Sequence, residues 1–235
     1  MKRYDLNLTM NTRDLGGYNT LDGKQVAYNK FIRSDALRYI TEEDKLFLIR
    51  GNYTTNIDMR TEYVINKYPS LLKDDERFEY YNIPLIEGSG IPLTDENASN
   101  LYLQMVNNKN KFYRIFRIII DAKSNVIFNC TAGKDRTGII ACLLLLLANV
   151  SRIDILDDYE ISSTFIYERI GKIRELYPEF PENLGESKRI YLEEFLDKFY
   201  EQFKTIENYF YFLGFSEEDI TKLNEKLLEV GEVNE

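Results

Sequence analysis

Apolar positions along the chain recur with two periods. Short β-branched or aromatic runs at 53–59 (YTTNIDM), 78–85 (FEYYNIPL) and 125–129 (NVIFN) lie between polar turns, which is the pattern of strands. Segment 34–51 (SDALRYITEEDKLFLIRG) carries helix signals instead. Ser34 and Thr41 are candidate N-caps, the Thr41 to Asp44 spacing suits a loose capping box, and Gly51 follows the last apolar position. From Asp95 onward apolar residues recur at three and four through 101–122, 152–176 and 186–230, the last stretch broken near Gly214. The longest apolar run, 139–150 (IIACLLLLLANV), is too short for a membrane span and reads as a buried helix. The opening 11–23 (NTRDLGGYNTLDG) is rich in turn formers and is expected to be an irregular surface segment with room for short strands. Strands that alternate with helices predict an α/β fold, a central mixed sheet flanked by helices, with a helical C-terminal part from about 152 to 235.

Composition narrows the function classes. The 235 residues are expected to form a single domain, 1–235, and 44% hydrophobic with 29% charged residues is the balance of a folded chain. A net charge of −9 argues against a nucleic-acid partner and means that any anion must be recognised locally. Two cysteines, Cys130 and Cys142, are too few for a disulfide scaffold or a four-sulfur zinc site. That usage fits a reducing compartment. The first residues, MKRYDLNLTM, show no apolar signal stretch, so a cytoplasmic protein without integral membrane association is expected. Histidine is absent, which removes Ser-His and Cys-His nucleophiles and imidazole metal ligands.

The segment FNCTAGKDRTG, 128–138, concentrates the chemistry. A buried strand should run into the loop CTAGKDR, and the loop into a helix beginning near Arg136 or Thr137. First-turn amides of that helix and the loop's own amides then converge on one point, an anion site. Cys130 lies at that point, where a helix N-terminus and a guanidinium favour the ionised thiol and make it a nucleophile without a base. Arg136 can fork two oxygens of a phosphate. A thiolate beneath a phosphate cradle suits in-line attack on phosphorus. Thr131, Ala132, Gly133 and Lys134 would build the cradle, Gly133 allowing close backbone approach. Thr137 is placed to donate to the thiolate, and Asp135 is the nearest carboxylate that could protonate the leaving oxygen. Cys142, well inside the apolar helix, reads as a core residue.

CTAGKDRTG resembles the signature loop of protein tyrosine phosphatases. Together with NTRDLGGY (11–18), RSDAL (33–37), IDMRTEYV (57–64) and the C-terminal YFYFLGFSEEDITKL, it is similar to a bacterial branch of atypical tyrosine and lipid phosphatases. The resemblance implies the cysteine-phosphatase fold, no cofactor or metal, and a phosphorylated protein or phosphoinositide as substrate. It implies Cys130 as nucleophile, Arg136 as phosphate binder, Asp135 as acid and Lys134 as the cation associated with inositol head groups. Asp58 and Arg60 would sit at the mouth of the site or, equally, form an ion pair fixing the end of a strand. Arg13 and Asp14 read as structural, holding their own turn. The family usually has histidine before the cysteine; here Asn129 stands there, and reduced but not absent activity is expected. Asp95 is a rival proton donor, better read with Thr94 as part of a helix N-terminus. Segment 177–187 (YPEFPENLGES) is a loop that could serve as a flap. Phosphotyrosine ranks ahead of phosphoinositide, and a phosphate-ester-binding protein without turnover is the alternative.

Overall fold

The computed structural model describes residues 1–85, 94–179 and 185–228. The described chain is α/β, with elements β1 (Arg13–Asp14), β2 (Phe31–Ser34), α1 (Glu42–Arg50), β3 (Thr55–Asp58), α2 (Glu62–Lys67), β4 (Glu79–Asn82), α3 (Ala98–Val106), α4 (Lys109–Asp121), β5 (Val126–Asn129), α5 (Asp135–Leu147), α6 (Arg152–Leu176), α7 (Arg189–Phe203), α8 (Ile206–Leu213) and α9 (Glu217–Leu227). The sheet order is β1-β2-β5-β3-β4. β1 is antiparallel to β2 and the other pairings are parallel, so the sheet is mixed.

The alternation of side chains across the sheet separates two cores. Phe31, Ile57, Val126 and Phe128 join the larger core with the helices from α3 onward. Ile32 and Ile127 point the other way, onto Leu48 of α1, Tyr53 and Leu37. α5 is apolar all round, with Ile139 to Leu145 buried without interruption, because it lies between the sheet and helices α6 and α8. In the larger core Phe112, Phe116, Phe199, Phe203, Tyr209 and Phe210 pack ring against ring. Of the 18 tyrosines, Tyr102, Tyr159, Tyr191 and Tyr209 are interior and serve packing.

Three expectations are corrected. Segment 34–51 is a helix only from Glu42: Thr41 caps it with a complete capping box to Asp44, whereas Ser34 ends β2. β2 itself and α2 carried too little periodicity to be read. Segment 11–23 holds a short strand, β1, but it is not all surface, since Asn11 to Gly16 are buried. The C-terminal stretch breaks at Gly214, in the left-handed conformation, and also at Lys204, where φ is 69°. Of the loop 177–187, residues 180–184 lie outside the described residues.

Candidate active site

The parallel strands end in line: Asn129 of β5 is in register with Ser34 of β2 on one side and Asp58 of β3 on the other. The loop 130–136 starts at that edge and feeds α5, whose first helical residue is Asp135. Crevices at the carboxyl ends of parallel strands are where α/β proteins hold ligands.

The loop's conformation is imposed from outside. The Ala36 N–H donates to Thr131 O at 3.4 Å, Asn11 Nδ2 to Ala132 O at 3.0 Å and Gly133 O at 2.9 Å, and Arg33 Nη2 to Gly133 O at 2.9 Å. A trans peptide directs its N–H opposite to its C=O. The amides of Ala132, Gly133 and Lys134 therefore turn away from Ala36, Asn11 and Arg33, to the inner side of the loop. Gly133 is required there: its φ is 68°, and a Cβ would lie 2.6 Å from backbone atoms of Ser34 and Asp35.

Asn11 and Arg33 are themselves locked. Asp158 of α6, buried, accepts from Arg13 Nε at 3.1 Å and from Arg33 Nη1, and Arg13 also donates to Asn11 Oδ1. Asp35 fixes the Asn11 backbone by accepting its N–H at 3.1 Å, and pairs with Arg169 at 3.1 Å. Burial alone would raise the Asp158 carboxyl; the charges of Arg33 and Arg13 outweigh it and hold it below the ordinary carboxylate range. Burial, with Arg33 nearby, brings Arg13 down to about 10. Two guanidiniums share one carboxylate, so one positive charge is left over behind the loop.

Cys130, at the start of the loop, is buried. Arg136 Nη1 donates to Met59 O at 3.1 Å and Nη2 to Thr131 Oγ1 at 3.3 Å, with no carboxylate partner among the described residues. Thr137 Oγ1 is buried without a partner among the described residues. Asp135 Oδ1 accepts from the Tyr102 hydroxyl at 2.6 Å; Tyr159 donates in turn to Tyr102 at 2.7 Å. Burial raises both phenols well above 10, so both stay protonated as donors. Lys134 Nζ donates to Glu186 O at 2.6 Å and lies 3.1 Å from Asp135. Gly138 lets α5 approach α6 closely, a Cβ there falling 3.0 Å from the Tyr159 ring.

Asp58 and Arg60 take the ion-pair arrangement: Arg60 Nη2 lies 2.6 Å from Asp58 Oδ2, both residues are fully buried, and Tyr80 donates to the same carboxylate at 3.0 Å. The pair brackets Met59, whose carbonyl Arg136 uses. Asp95 is an exposed partner of Lys188 at 2.7 Å and of Tyr191 at 2.7 Å, and Lys188 first, then Tyr191, lowers its carboxyl. Asn97, not Asp95, accepts the Thr94 N–H ahead of α3. Asp14 accepts the Gly16 N–H at 2.7 Å, the turn-holding bond expected of it. Cys142 is buried in α5, where burial pushes its thiol up. Asn129 Oδ1 accepts from Asn56 Nδ2 at 2.8 Å, so the position usually held by histidine is filled by an amide pair.

The profile of the tyrosine phosphatase family matches residues 4–229. The chain belongs to that family. A tyrosine-protein phosphatase of Nostoc commune is 35% identical over 58% of this chain and 49% of its own length. A putative tyrosine-protein phosphatase of Cupriavidus necator is 29% identical over 67% of this chain and 62% of its own. The chain thus spans about half to three fifths of these relatives. Among solved structures, the core catalytic domain of the PP-IP phosphatase SIW14 from S. cerevisiae, with citrate bound, is 14% identical with a TM-score of 0.36 over 77% of this chain and 97% of that one. P. aeruginosa TpbA is 11% identical, with a TM-score of 0.33 over 65% and 90%.

Asn11, Arg33, Asp158 and Tyr102 were not read from sequence as members of the family's site here. For Asp158 a signal existed: it falls on the face of α6 shared by Ile155, Ser162 and Ile166, and a carboxylate on a buried stripe demands a partner.

Proposed function

We propose that this chain is a metal-independent cysteine phosphatase acting on phosphotyrosine monoesters. The observation that carries the reading is a loop, starting at the buried Cys130, whose carbonyls are tied outward and whose arginine, Arg136, has no carboxylate partner among the described residues. Cys130 Sγ attacks phosphorus as its thiolate, and the Thr137 hydroxyl, which has no partner among the described residues, can turn to donate to the sulfur. The P–O ester bond breaks, and Asp135 delivers a proton to the departing oxygen. The amides and Arg136 stabilise the charge on the equatorial oxygens. Water then attacks the cysteinyl phosphate, Asp135 takes back the proton, and the S–P bond breaks to release inorganic phosphate. Thr131, Ala132, Gly133 and Lys134 bind through the backbone, and Asp58 with Arg60 acts by positioning Met59.

The names of the relatives favour phosphotyrosine. The Lys134 ammonium is already engaged by the Glu186 carbonyl and by Asp135, which supports phosphotyrosine over a polyphosphorylated inositol head group. Phosphate release should be measured on a phosphotyrosine peptide, a phosphoserine peptide and phosphoinositides, with chelator throughout. Fastest release from the phosphotyrosine peptide is expected; tight ligand binding without release would reassign the chain as a phosphate-ester-binding protein.

Two variants probe the roles. Arg136→Lys should lower kcat by about 10² to 10³, because an ammonium cannot fork two equatorial oxygens while bonding Met59 O. Near wild-type turnover would remove Arg136 from the reaction. Asp135→Asn should lower kcat by about 10² on phosphotyrosine peptide and far less on 4-nitrophenyl phosphate, whose leaving group needs no proton. Equal losses on both substrates would show that Asp135 is not the acid.

A further inference from the structure

Four side chains beside the loop have no role in that chemistry. We propose that Arg38, with Tyr39, Tyr68 and Lys67, forms a subsite for an acidic side chain adjacent to the phosphorylated residue of a peptide substrate. This inference rests on the phosphatase reading and adds a sequence preference to it.

The Arg38 guanidinium lies 4.0 Å from the centre of the Tyr68 ring and 5.0 Å from that of Tyr39, and its Nη2 donates to the Tyr39 hydroxyl at 2.9 Å. Lys67 Nζ is 5.3 Å from the Tyr68 ring. Neither cation has an ion-pair partner among the described residues. On this edge Arg60, Lys134 and Arg169 each pair with a carboxylate in a chain of net charge −9, and besides these two cations Arg136 of the loop lacks one among the described residues. A guanidinium stacked on aromatic faces is oriented without being neutralised, so its fork can still take a carboxylate.

Backbone bonds tie both walls of the cluster to the site. Ala36 donates to Thr131 O of the loop, and Arg38 N–H donates to Ala36 O at 2.9 Å. On the other wall, Leu71 N–H donates to Leu37 O at 3.1 Å, and Arg60, which helps hold Met59 for Arg136, donates to Tyr68 O at 2.8 Å. Tyr39 is 50% exposed and Tyr68 39%, so the aromatic faces are open to a passing chain. A peptide fits this surface better than an anionic bilayer, which the overall negative charge would repel.

The test is kcat/KM for two phosphotyrosine peptides that differ only in Glu or Ala at the flanking positions, with 4-nitrophenyl phosphate as the control for chemistry. A ratio of about fivefold in favour of the Glu peptide is expected, shrinking towards one in molar salt. Arg38→Glu, shown to be folded by its thermal unfolding, should abolish or invert the ratio. The salt response needs no variant. Hydrolysis of 4-nitrophenyl phosphate with a peptide ratio of one overturns the subsite alone; no hydrolysis of any substrate overturns the phosphatase reading and the subsite with it. A wild-type preference for phosphoinositides over the Glu peptide would overturn the peptide as occupant.

Discussion

Cys130→Ser should bring phosphate release from a phosphotyrosine peptide down by more than about 10⁴-fold while leaving the peptide bound. A serine hydroxyl can replace a thiolate only if a neighbouring base removes its proton, and this chain has no histidine to do so. The chemistry should therefore stop at the bound ester. Binding should persist because nothing that holds the cradle involves the sulfur. The Thr131, Ala132 and Gly133 carbonyls are held by Ala36, Asn11 and Arg33, and Arg136 is placed by Met59 O. The exchange of sulfur for oxygen at a buried position should cost little packing. Burst kinetics and a phosphopeptide Kd, measured on both proteins, check the expectation. Residual turnover above about one part in a hundred would place the nucleophile elsewhere, and loss of binding along with turnover would mean that the sulfur helps build the cradle.

The same contrast explains what could be read from the chain. Strand, loop and helix around Cys130 are contiguous from Val126 to Leu147, so apolar patterning and the glycine, lysine and arginine between them sufficed to place the strand and the loop, and the helix start to within one or two residues. The supports of that loop act across the chain. Asn11 reaches Gly133, Arg33 reaches Gly133, and Arg13 and Arg33 meet at Asp158, all far apart in sequence. No local period encodes such partners. Polar composition also misled at 11–23, because Asn11, Arg13 and Asp14 satisfy one another and their neighbours and are buried for that reason. Asp58 and Arg60 stood between a binding role and an ion pair, and only the positions of Tyr80 and Tyr68 distinguish the two.

The largest expected effect on stability follows from those distant supports. Asp158→Asn keeps the shape of the side chain but leaves the guanidiniums of Arg13 and Arg33 buried with no counter-charge. Breaking a buried pair from one side costs about 3 to 5 kcal/mol, much of a domain's usual margin of roughly 5 to 15. The denaturant midpoint should fall accordingly, with the slope unchanged. Acid response supplies a second readout. The folded Asp158 carboxyl is held below its unfolded value of about 3.9, so its contribution is present above that pH and is lost as pH falls through the folded value. Wild type should therefore lose stability below about pH 4 more steeply than Asp158→Asn does. Activity should fall as well, since Arg33 would no longer be held against Gly133 O, and the amides would lose their common direction. A midpoint change equivalent to less than about 1 kcal/mol, with parallel acid limbs, would show that the two arginines find other partners and that the loop does not depend on α6 for its shape.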